Sequence, residues 1–305
     1  WDNMRSEEMI KLLPSGLRDV LQKMNLDVAG LQEIRLRAEQ PVVILSHGKE
    51  YVSQTVIHRR QLEETLAYLG NYSLYAYKEE IKQGYITIEG GHRVGVAGQT
   101  VLVDGKIAGI SPIMFLNIRI AHEKCGCARK ILPLIRQRDS IYNTLILSMP
   151  GAGKTTLLRD SIRALSNGEA YGIRLKVCVV DERSEIAASF HGVPQNDMGP
   201  RTDVMDGCGK AEGMQLLIRS MTPQIIAVDE LGAESDFYAV EQALNCGSRV
   251  LGTIHAGNMK ELSEKPYLKR WMERRLFQRF IFLEKEADGR RKMQVYDEHM
   301  ERITC

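Results

Sequence analysis

The 305-residue chain lacks the features of a membrane protein or of a nucleic-acid coat. No apolar run approaches the roughly 18 residues that a membrane-spanning helix needs. The chain begins at Trp1 with no Met and no apolar leader, so we expect a signal peptide to be either absent or trimmed, and we expect no membrane anchor in the chain. Lysine and arginine number 41 against 39 acidic residues, for a net charge of +2. This balance excludes a strongly basic nucleic-acid coat and an acidic disordered tail.

Cysteine is also sparse, and its spacing is uninformative. None of the six cysteines forms a C-x-x-C pair or has a histidine at zinc spacing. We therefore expect reduced thiols in a cytosolic setting. The C-x-C formed by Cys125 and Cys127 leaves a metal or redox site open as the alternative.

Length and an ordinary composition, 44% hydrophobic and 26% charged, predict two folded domains. Residues 1–29 have the apolar spacing of helices, with a break near Pro14. From Gly84 onward the pattern is one of short strands with glycine turns, and Asp104-Gly105 predicts a hairpin. We assign residues 1–121 to a small N-terminal α+β domain.

After about residue 122 strands alternate with helices, which predicts a parallel sheet covered on both faces. The strands are expected at 143–149, 175–180, 224–228 and 249–254, and the helices at 154–166, 210–221 and 235–246. Residues 266–280 predict an amphipathic helix, followed by a terminal hairpin around Asp288-Gly289. Residues 122–305 form the second predicted domain.

The strongest motif is Ser148 to Thr156, which reads Ser-Met-Pro-Gly-Ala-Gly-Lys-Thr-Thr. It follows a predicted strand and opens a predicted helix, as a phosphate-binding loop (P-loop) requires. Small residues let backbone N–H groups turn toward a phosphate, and the helix adds its positive end. Lys154 then reaches the β- and γ-phosphates, and Thr155 ligates Mg²⁺. The predicted nucleotide-binding residues are Pro150, Gly151, Ala152, Gly153, Lys154, Thr155 and Thr156. Ser148 departs from the usual glycine.

Three further strands end in polar side chains. One ends in Asp229-Glu230, the Walker B arrangement, in which Asp229 holds Mg²⁺ and Glu230 polarises the attacking water. An earlier strand ends in an acidic stretch that includes Glu182 and Glu185. These carboxylates either face the nucleotide or lie in a solvated loop, because ligands gather at the carboxyl ends of parallel strands. His255, at the end of the next strand, is either a γ-phosphate sensor or structural.

Basic residues outside these motifs are ambiguous. Any of five arginines could complete a site in a neighbouring subunit, and each could equally be ordinary surface charge: Arg93, Arg119, Arg183, Arg201 and Arg219. A basic helix face near Arg274 lacks the interleaved aromatic residues of a single-strand binder, so nucleic acid is an unfavoured partner.

The order of these motifs resembles the secretion ATPases of type II and type IV systems. The resemblance covers about residues 119–260 and implies a RecA-like P-loop domain with a separate N-terminal domain. It assigns roles residue by residue: Lys154 and Thr155 to Walker A, Glu182 and Glu185 to the acidic box, Asp229 and Glu230 to Walker B, and His255 to the His box. The box lacks its usual Asp-Pro, so which glutamate acts stays open.

A second resemblance spans nearly the whole chain. Seven stretches are similar to the stage III sporulation protein AA family of endospore formers: Glu33–Arg37, Pro41, Gly91–Gly95, Gly192–Asp197, Gly199–Val204, Lys210–Met214 and Arg219–Pro223. This resemblance implies a mother-cell, cytoplasmic ATPase that powers or assembles the channel between mother cell and forespore. It also implies a hexamer, with membrane proteins of that channel as partners through which it associates with the membrane.

We therefore expect Mg²⁺-dependent ATP hydrolysis on an α/β, RecA-like core. Two alternatives remain on the same core. One is a translocase stimulated by nucleic acid, and the other is a scaffold that binds ATP with little turnover.

Overall fold

A computed structural model describes residues 8–169, 172–257, 261, 266–286 and 291–303. The chain divides into two compact units. The first contains the residues up to Glu123 together with Ala188–Gln195, and the second contains Lys124–Ala187 and the chain from Asn196 onward. An eight-residue segment of the second half of the sequence thus belongs to the first unit.

The first unit is built on a six-stranded antiparallel sheet in the order β3-β2-β1-β6-β5-β4. The strands are β1 Leu31–Arg37, β2 Gln40–Ser46, β3 Lys49–Ile57, β4 Tyr85–Ile88, β5 His92–Val103 and β6 Lys106–Arg119. Residues 8–12 are helical, and the helices that follow are α1 Ser15–Met24, α2 Arg59–Leu69 and α3 Lys78–Lys82. Short 3-10 turns occupy Val28–Gly30, Leu74–Tyr77 and Glu89–Gly91.

One face of this sheet carries the core of the unit. Ile34 and Leu36 on β1 pack with Val94 on β5 and Ile118 on β6, and α1 and α2 supply Leu17 and Leu62. Their period of two on the strands, and of three or four on the helices, is the pattern that predicted an α+β unit. Residues 1–7 of the predicted first helix lie outside the described residues.

Strands β5 and β6 extend beyond the rest of the sheet. Their outer parts, Gly98 to Val103 and Lys106 to Ile113, pair only with each other among the described residues. The predicted Asp104-Gly105 turn joins them, which confirms the hairpin. Its tip exposes Val101, Leu102, Val103 and Ile107.

The second unit is built on an eight-stranded sheet in the order β11-β10-β12-β13-β9-β14-β15-β16. The strands are β9 Thr144–Ser148, β10 Val177–Asp181, β11 Thr202–Asp206, β12 Ile225–Val228, β13 Arg249–His255, β14 Arg279–Lys285, β15 Arg291–Asp297 and β16 Arg302–Ile303. The six strands from β11 to β14 in this order are parallel. A small separate ribbon pairs β7 Arg136–Gln137 with β8 Ser140–Ile141.

Helices cover both faces of this sheet. They are α4 Leu132–Ile135, α5 Lys154–Asn167, α6 Lys210–Met221, α7 Glu234–Asn245 and α8 Pro266–Glu273, with a 3-10 turn at Cys127–Lys130. Successive residues of β9 point to opposite cores: Ile146 packs with α5, whereas Leu145 and Leu147 pack with α6 and α7. This two-sided burial explains why the strands are nearly continuous apolar runs.

Two predictions for this unit need correction. The sheet is mixed, because β15 and β16 add antiparallel strands at one edge, and the pairing of Phe280–Leu283 with Met293–Tyr296 confirms the predicted terminal hairpin. The helix predicted over 266–280 ends at Glu273. Arg275 has φ of 50°, and Leu276 donates its N–H to the Trp271 carbonyl, which terminates the helix. Phe280 is still buried, but on β14. The predicted turn at Asp288-Gly289 lies outside the described residues.

Candidate active site

The predicted P-loop joins β9 to α5 at the carboxyl edge of the parallel strands. Gly151 and Gly153 have φ of 77° and 102°, which residues with side chains rarely adopt. These two residues turn the chain sharply between Ser148, the last residue of β9, and Lys154, the first residue of α5. The loop therefore presents small residues and a helix N-terminus at one point, an arrangement suited to a phosphate.

Lys154 is only 5% exposed, and its ammonium lies under the loop. Its Nζ donates to the Ser148 carbonyl at 3.2 Å, to Ser148 Oγ at 3.3 Å and to Nδ1 of His255 at 3.0 Å. Ser148, which departs from the P-loop pattern, thus supplies two acceptors to the lysine. Burial lowers the pKa of Lys154 below its ordinary value, although the charges of Asp229 and Glu230 oppose that shift.

Asp229 lies immediately after β12 and beside the start of α5. Thr155 Oγ1 donates to its Oδ2 at 2.6 Å, and the Thr253 hydroxyl donates to its Oδ1. The two predicted Mg²⁺ ligands, Thr155 and Asp229, are therefore already in contact. A hydroxyl and a carboxylate oxygen are hard oxygen donors, which is the chemistry that Mg²⁺ takes.

Glu230 is held from three sides. Its backbone N–H donates to Thr253 Oγ1 at 2.8 Å, its Oε1 is 2.9 Å from Nε2 of His255, and its Oε2 is 3.4 Å from Nη1 of Arg183. Its φ of 52° is unusual for a residue with a side chain, and such backbone strain concentrates at functional sites. The structure thus fixes both the backbone and the carboxylate of this residue.

His255 connects Lys154 to Glu230. Because a lysine ammonium can only donate, Nδ1 of His255 is an acceptor, and its ring proton lies on Nε2. That Nε2–H donates to Glu230. Partial burial tends to raise the pKa of Glu230, but the hydrogen bond from His255 and the charges of Arg183 and Lys154 outweigh it. The pKa of Glu230 therefore lies below its ordinary value, and the carboxyl is ionised.

The acidic stretch after β10 contributes differently. Asp181 turns back on its own loop and accepts the N–H groups of Glu185, Ile186 and Ala187 at 2.8 to 3.0 Å. Glu182 pairs with Lys210 at the start of α6. The carbonyls of Glu185 and Ile186 accept Arg159 from α5, both at 2.6 Å. The loop is thereby tied to the P-loop helix through backbone atoms.

Of the five arginine candidates, only Arg183 contacts this site within the second unit, through Glu230. Arg201 donates to the Arg174 carbonyl at 2.8 Å, and Arg219 on α6 lines a small cavity with Gln242. In the first unit Arg93 lies over the Tyr85 ring, 3.7 Å from its centroid, and is the cross-strand partner of Arg119.

The basic helix face is partly neutralised. Arg270 and Arg274 both reach the Glu241 carboxylate, at 3.3 and 2.9 Å. This shared carboxylate weakens the case for a nucleic-acid surface there.

Thr253 is the main site residue that the motif search missed. It holds Asp229 and the backbone of Glu230 at once. A signal was present, because Thr253 lies two residues before His255 on β13, and residues two apart on a strand share a face.

A model of the family described as "Sporulation stage III, protein AA" matches residues 3–303. The chain belongs to this sporulation family. One curated relative, the stage III sporulation protein AA of Bacillus subtilis, is 39% identical over 291 residues, which are 95% of this chain and 94% of the relative. The expected family resemblance is thus confirmed.

Solved structures extend the likeness of this sporulation family member to secretion ATPases. The ATPase DotB of Legionella pneumophila matches with a TM-score of 0.61 at 17% identity, over 93% of this chain and 80% of DotB. The pilus retraction motor PilT, solved with bound ADP, matches with a TM-score of 0.59 at 16% identity, over 92% and 80%. The fold is therefore that of the RecA-like secretion ATPases, as predicted. Within the described residues, no helix combines the length and apolarity that crossing a bilayer requires.

Proposed function

We propose that this chain is a Mg²⁺-dependent ATP hydrolase that works as an assembled motor in sporulation. The observation that carries the proposal is the linked set around the P-loop. Lys154 contacts His255, His255 contacts Glu230, and Glu230 follows the aspartate that contacts Thr155. A binding loop, an oxygen pair suited to a metal and an oriented carboxylate within one set of hydrogen bonds are the parts that phosphoryl transfer to water requires.

The side chains divide the work. Lys154 stabilises charge on the β- and γ-phosphates, and Thr155 with Asp229 holds Mg²⁺, which when bound neutralises phosphate charge. Glu230 orients the attacking water through an ionised carboxylate. His255 positions Glu230 and, through Lys154, reports on whether the γ-phosphate is present. Of the acidic-box residues Glu182 and Glu185, at least one supports the water or the metal.

The active form is proposed to be an oligomer, a hexamer by likeness to secretion motors, in which a neighbour donates an arginine. The candidates are Arg93, Arg119, Arg183, Arg201 and Arg219. Membrane proteins of the sporulation channel are the proposed partners, and the cytoplasm of the mother cell is the proposed location. What supports these statements is the family membership together with the secretion-ATPase fold.

The test is phosphate release from Mg²⁺-ATP measured against protein concentration, for wild type, Lys154→Ala and the matched control Lys176→Ala. Lys176 is an exposed lysine just before β10. We expect turnover per chain to rise with concentration in wild type and control, and to vanish in Lys154→Ala.

Two other outcomes would replace the proposal. If neither wild type nor Lys154→Ala releases phosphate, and wild type binds ATP tightly, the ATP-gated scaffold would be favoured. Stimulation by single-stranded DNA that disappears at high salt would favour the translocase.

A further inference from the structure

Arg291, the first residue of β15, lies against the P-loop although the two are far apart in the sequence. A Cβ built on Gly153 would be 2.8 Å from Cζ of Arg291 and 3.0 and 3.1 Å from its two terminal nitrogens. Because the central carbon is the nearest atom and both nitrogens are nearly equidistant, Gly153 lies over the face of the guanidinium. The N–H groups of Arg291 therefore point sideways, along the loop, and not into it.

In the part of the chain that the structure describes, the Arg291 guanidinium has no ion-pair or hydrogen-bond partner, and the residue is exposed. Its field reaches Cys127: burial raises the pKa of that thiol to about 12, while Arg291 is a smaller influence that lowers it. The Cys127 sulfur lies 3.7 Å from the Thr156 carbonyl oxygen, in the first turn of α5. Arg291 thus lies against the P-loop and shares a cavity lining with Lys130 of the Cys127–Lys130 turn.

Arg291 also lines a cavity of about 280 Å³. Ile131, Met293 and Ile303 give this cavity apolar walls, while Lys130, Arg291 and Arg302 give it three positive charges and no acidic residue lines it. In the described part of the chain, none of these three cations has an ion-pair partner. The cavity is a slot that adjoins the P-loop through Arg291, and its apolar and cationic lining suits a ligand that has a flat, apolar part and an anionic part.

We infer that this slot receives the base and sugar of the nucleotide whose phosphates lie on the P-loop, and that Arg291 orients the base by stacking. The inference rests on the proposed nucleotide function of the P-loop. Gly153 covers one face of the guanidinium, so the opposite face is the one on which the proposed base stacks. Arg291 is thereby a specificity residue for a nucleoside triphosphate over a bare polyphosphate.

The experiment compares the binding of ATP, ADP and inorganic tripolyphosphate by calorimetry, with Mg²⁺, in wild type and three variants. Arg291→Ala removes both charge and face, Arg291→Lys keeps the charge without the planar face, and Lys292→Ala is the exposed neighbouring control. We expect Arg291→Ala to weaken ATP and ADP by roughly tenfold, because one desolvated cation–π contact is of that size. Arg291→Lys should weaken them nearly as much. Tripolyphosphate binding should change less than about twofold in every variant.

Binding of tripolyphosphate also shows that each variant keeps its P-loop. An equal loss of ATP and tripolyphosphate in Arg291→Ala would overturn the stacking role, and so would full rescue by lysine, because both results describe a simple phosphate contact. If wild type binds neither ATP nor tripolyphosphate, the proposed nucleotide function itself fails, a result distinct from loss of base recognition alone.

Discussion

Two aspartates end neighbouring strands of the same sheet, yet they have opposite surroundings. Val180 on β10 pairs with Val228 on β12, so Asp181 and Asp229 lie at the same level of the parallel sheet. Asp181 is 2% exposed and is occupied by three backbone N–H groups of its own loop. Asp229 instead meets two hydroxyls, from the P-loop helix and from β13.

The residues that come next explain this difference. After Asp181 the chain turns tightly enough to bring the N–H groups of residues 185–187 back to the carboxylate. After Asp229 the chain leaves through the left-handed Glu230, which leaves the Asp229 carboxylate directed at side chains. An acidic strand end therefore has no fixed role. The same residue type serves the loop in one case and the proposed chemistry in the other.

The largest effect is expected from a substitution at Asp229. We expect Asp229→Ala to reduce ATP turnover by about 10²-fold or more, because it removes a proposed metal ligand. Its unfolding free energy should change by only about 1 kcal/mol, since the donors that lose their acceptor are the Thr155 and Thr253 hydroxyls, which can rotate. Steady-state phosphate release and urea unfolding measure the two effects, with the exposed Asp139→Ala as control. Retained turnover in Asp229→Ala would contradict the assignment.

The reverse profile is expected at Asp181. In Asp181→Ala two buried N–H groups and one part-buried N–H group lose their acceptor, which should lower the unfolding free energy by about 2–4 kcal/mol. Urea unfolding of the isolated variant, again against Asp139→Ala, measures this loss. If stability is unchanged, the three hydrogen bonds do not carry the loop.

The protonation of Asp181 adds a pH dependence to the stability of the protein. Burial raises the pKa of Asp181 from its ordinary 3.8 to about 6, against the pull of the three N–H groups. Since the folded form binds the proton more tightly, the contribution of this group to stability falls as pH rises through about 6. Between pH 5 and 7.5 we expect the unfolding free energy of wild type to fall by about 1–1.5 kcal/mol relative to that of Asp181→Asn. Urea unfolding of both proteins at the two pH values checks the sign, and a difference that grows in favour of wild type would refute it.

The smallest effect is expected at Glu182. Lys210 already neutralises its carboxylate, so Glu182→Gln should change turnover by less than about threefold. Glu185→Gln is the matched variant within the same acidic box and should cost more. Phosphate release from the two variants at one protein concentration ranks them. A larger loss in Glu182→Gln would give that residue the active role in the box.

Local pattern was enough to predict much of this molecule. The helices that start at Lys154 and Lys210 begin where their sequences predict, and the four main parallel strands lie within about two residues of expectation. The P-loop could be found because its glycines, lysine and threonine are contiguous. Trp271 and Phe280 show the limit: their spacing correctly indicated burial, but the same spacing could not show that the chain leaves the helix at Glu273.

Two of the contacts that the sequence could not show depend on how strands distant in the sequence are placed in the sheet. Thr253 meets Asp229 only because β13 lies beside β12, and Arg291 meets Gly153 because of where the terminal strands are placed in the sheet. The role of Asp181 depends on a loop whose conformation is set by its own hydrogen bonds. No periodicity encodes these three contacts, because two of them join segments that are distant in the sequence and the third depends on an irregular loop.

In the extended β5–β6 hairpin, backbone amides of the same two strands should exchange on different timescales. Near β1 and β4 the β5–β6 ladder has a paired strand on each side. Among the described residues, the stretch from Val101 to Ile107 has only its own two strands, and its aliphatic side chains are exposed. A two-stranded ribbon is marginally stable by itself. Amide hydrogens at this tip should therefore exchange with solvent deuterium through brief local opening, while those of the same strands near Val94 and Ile118 should wait for the whole unit to unfold.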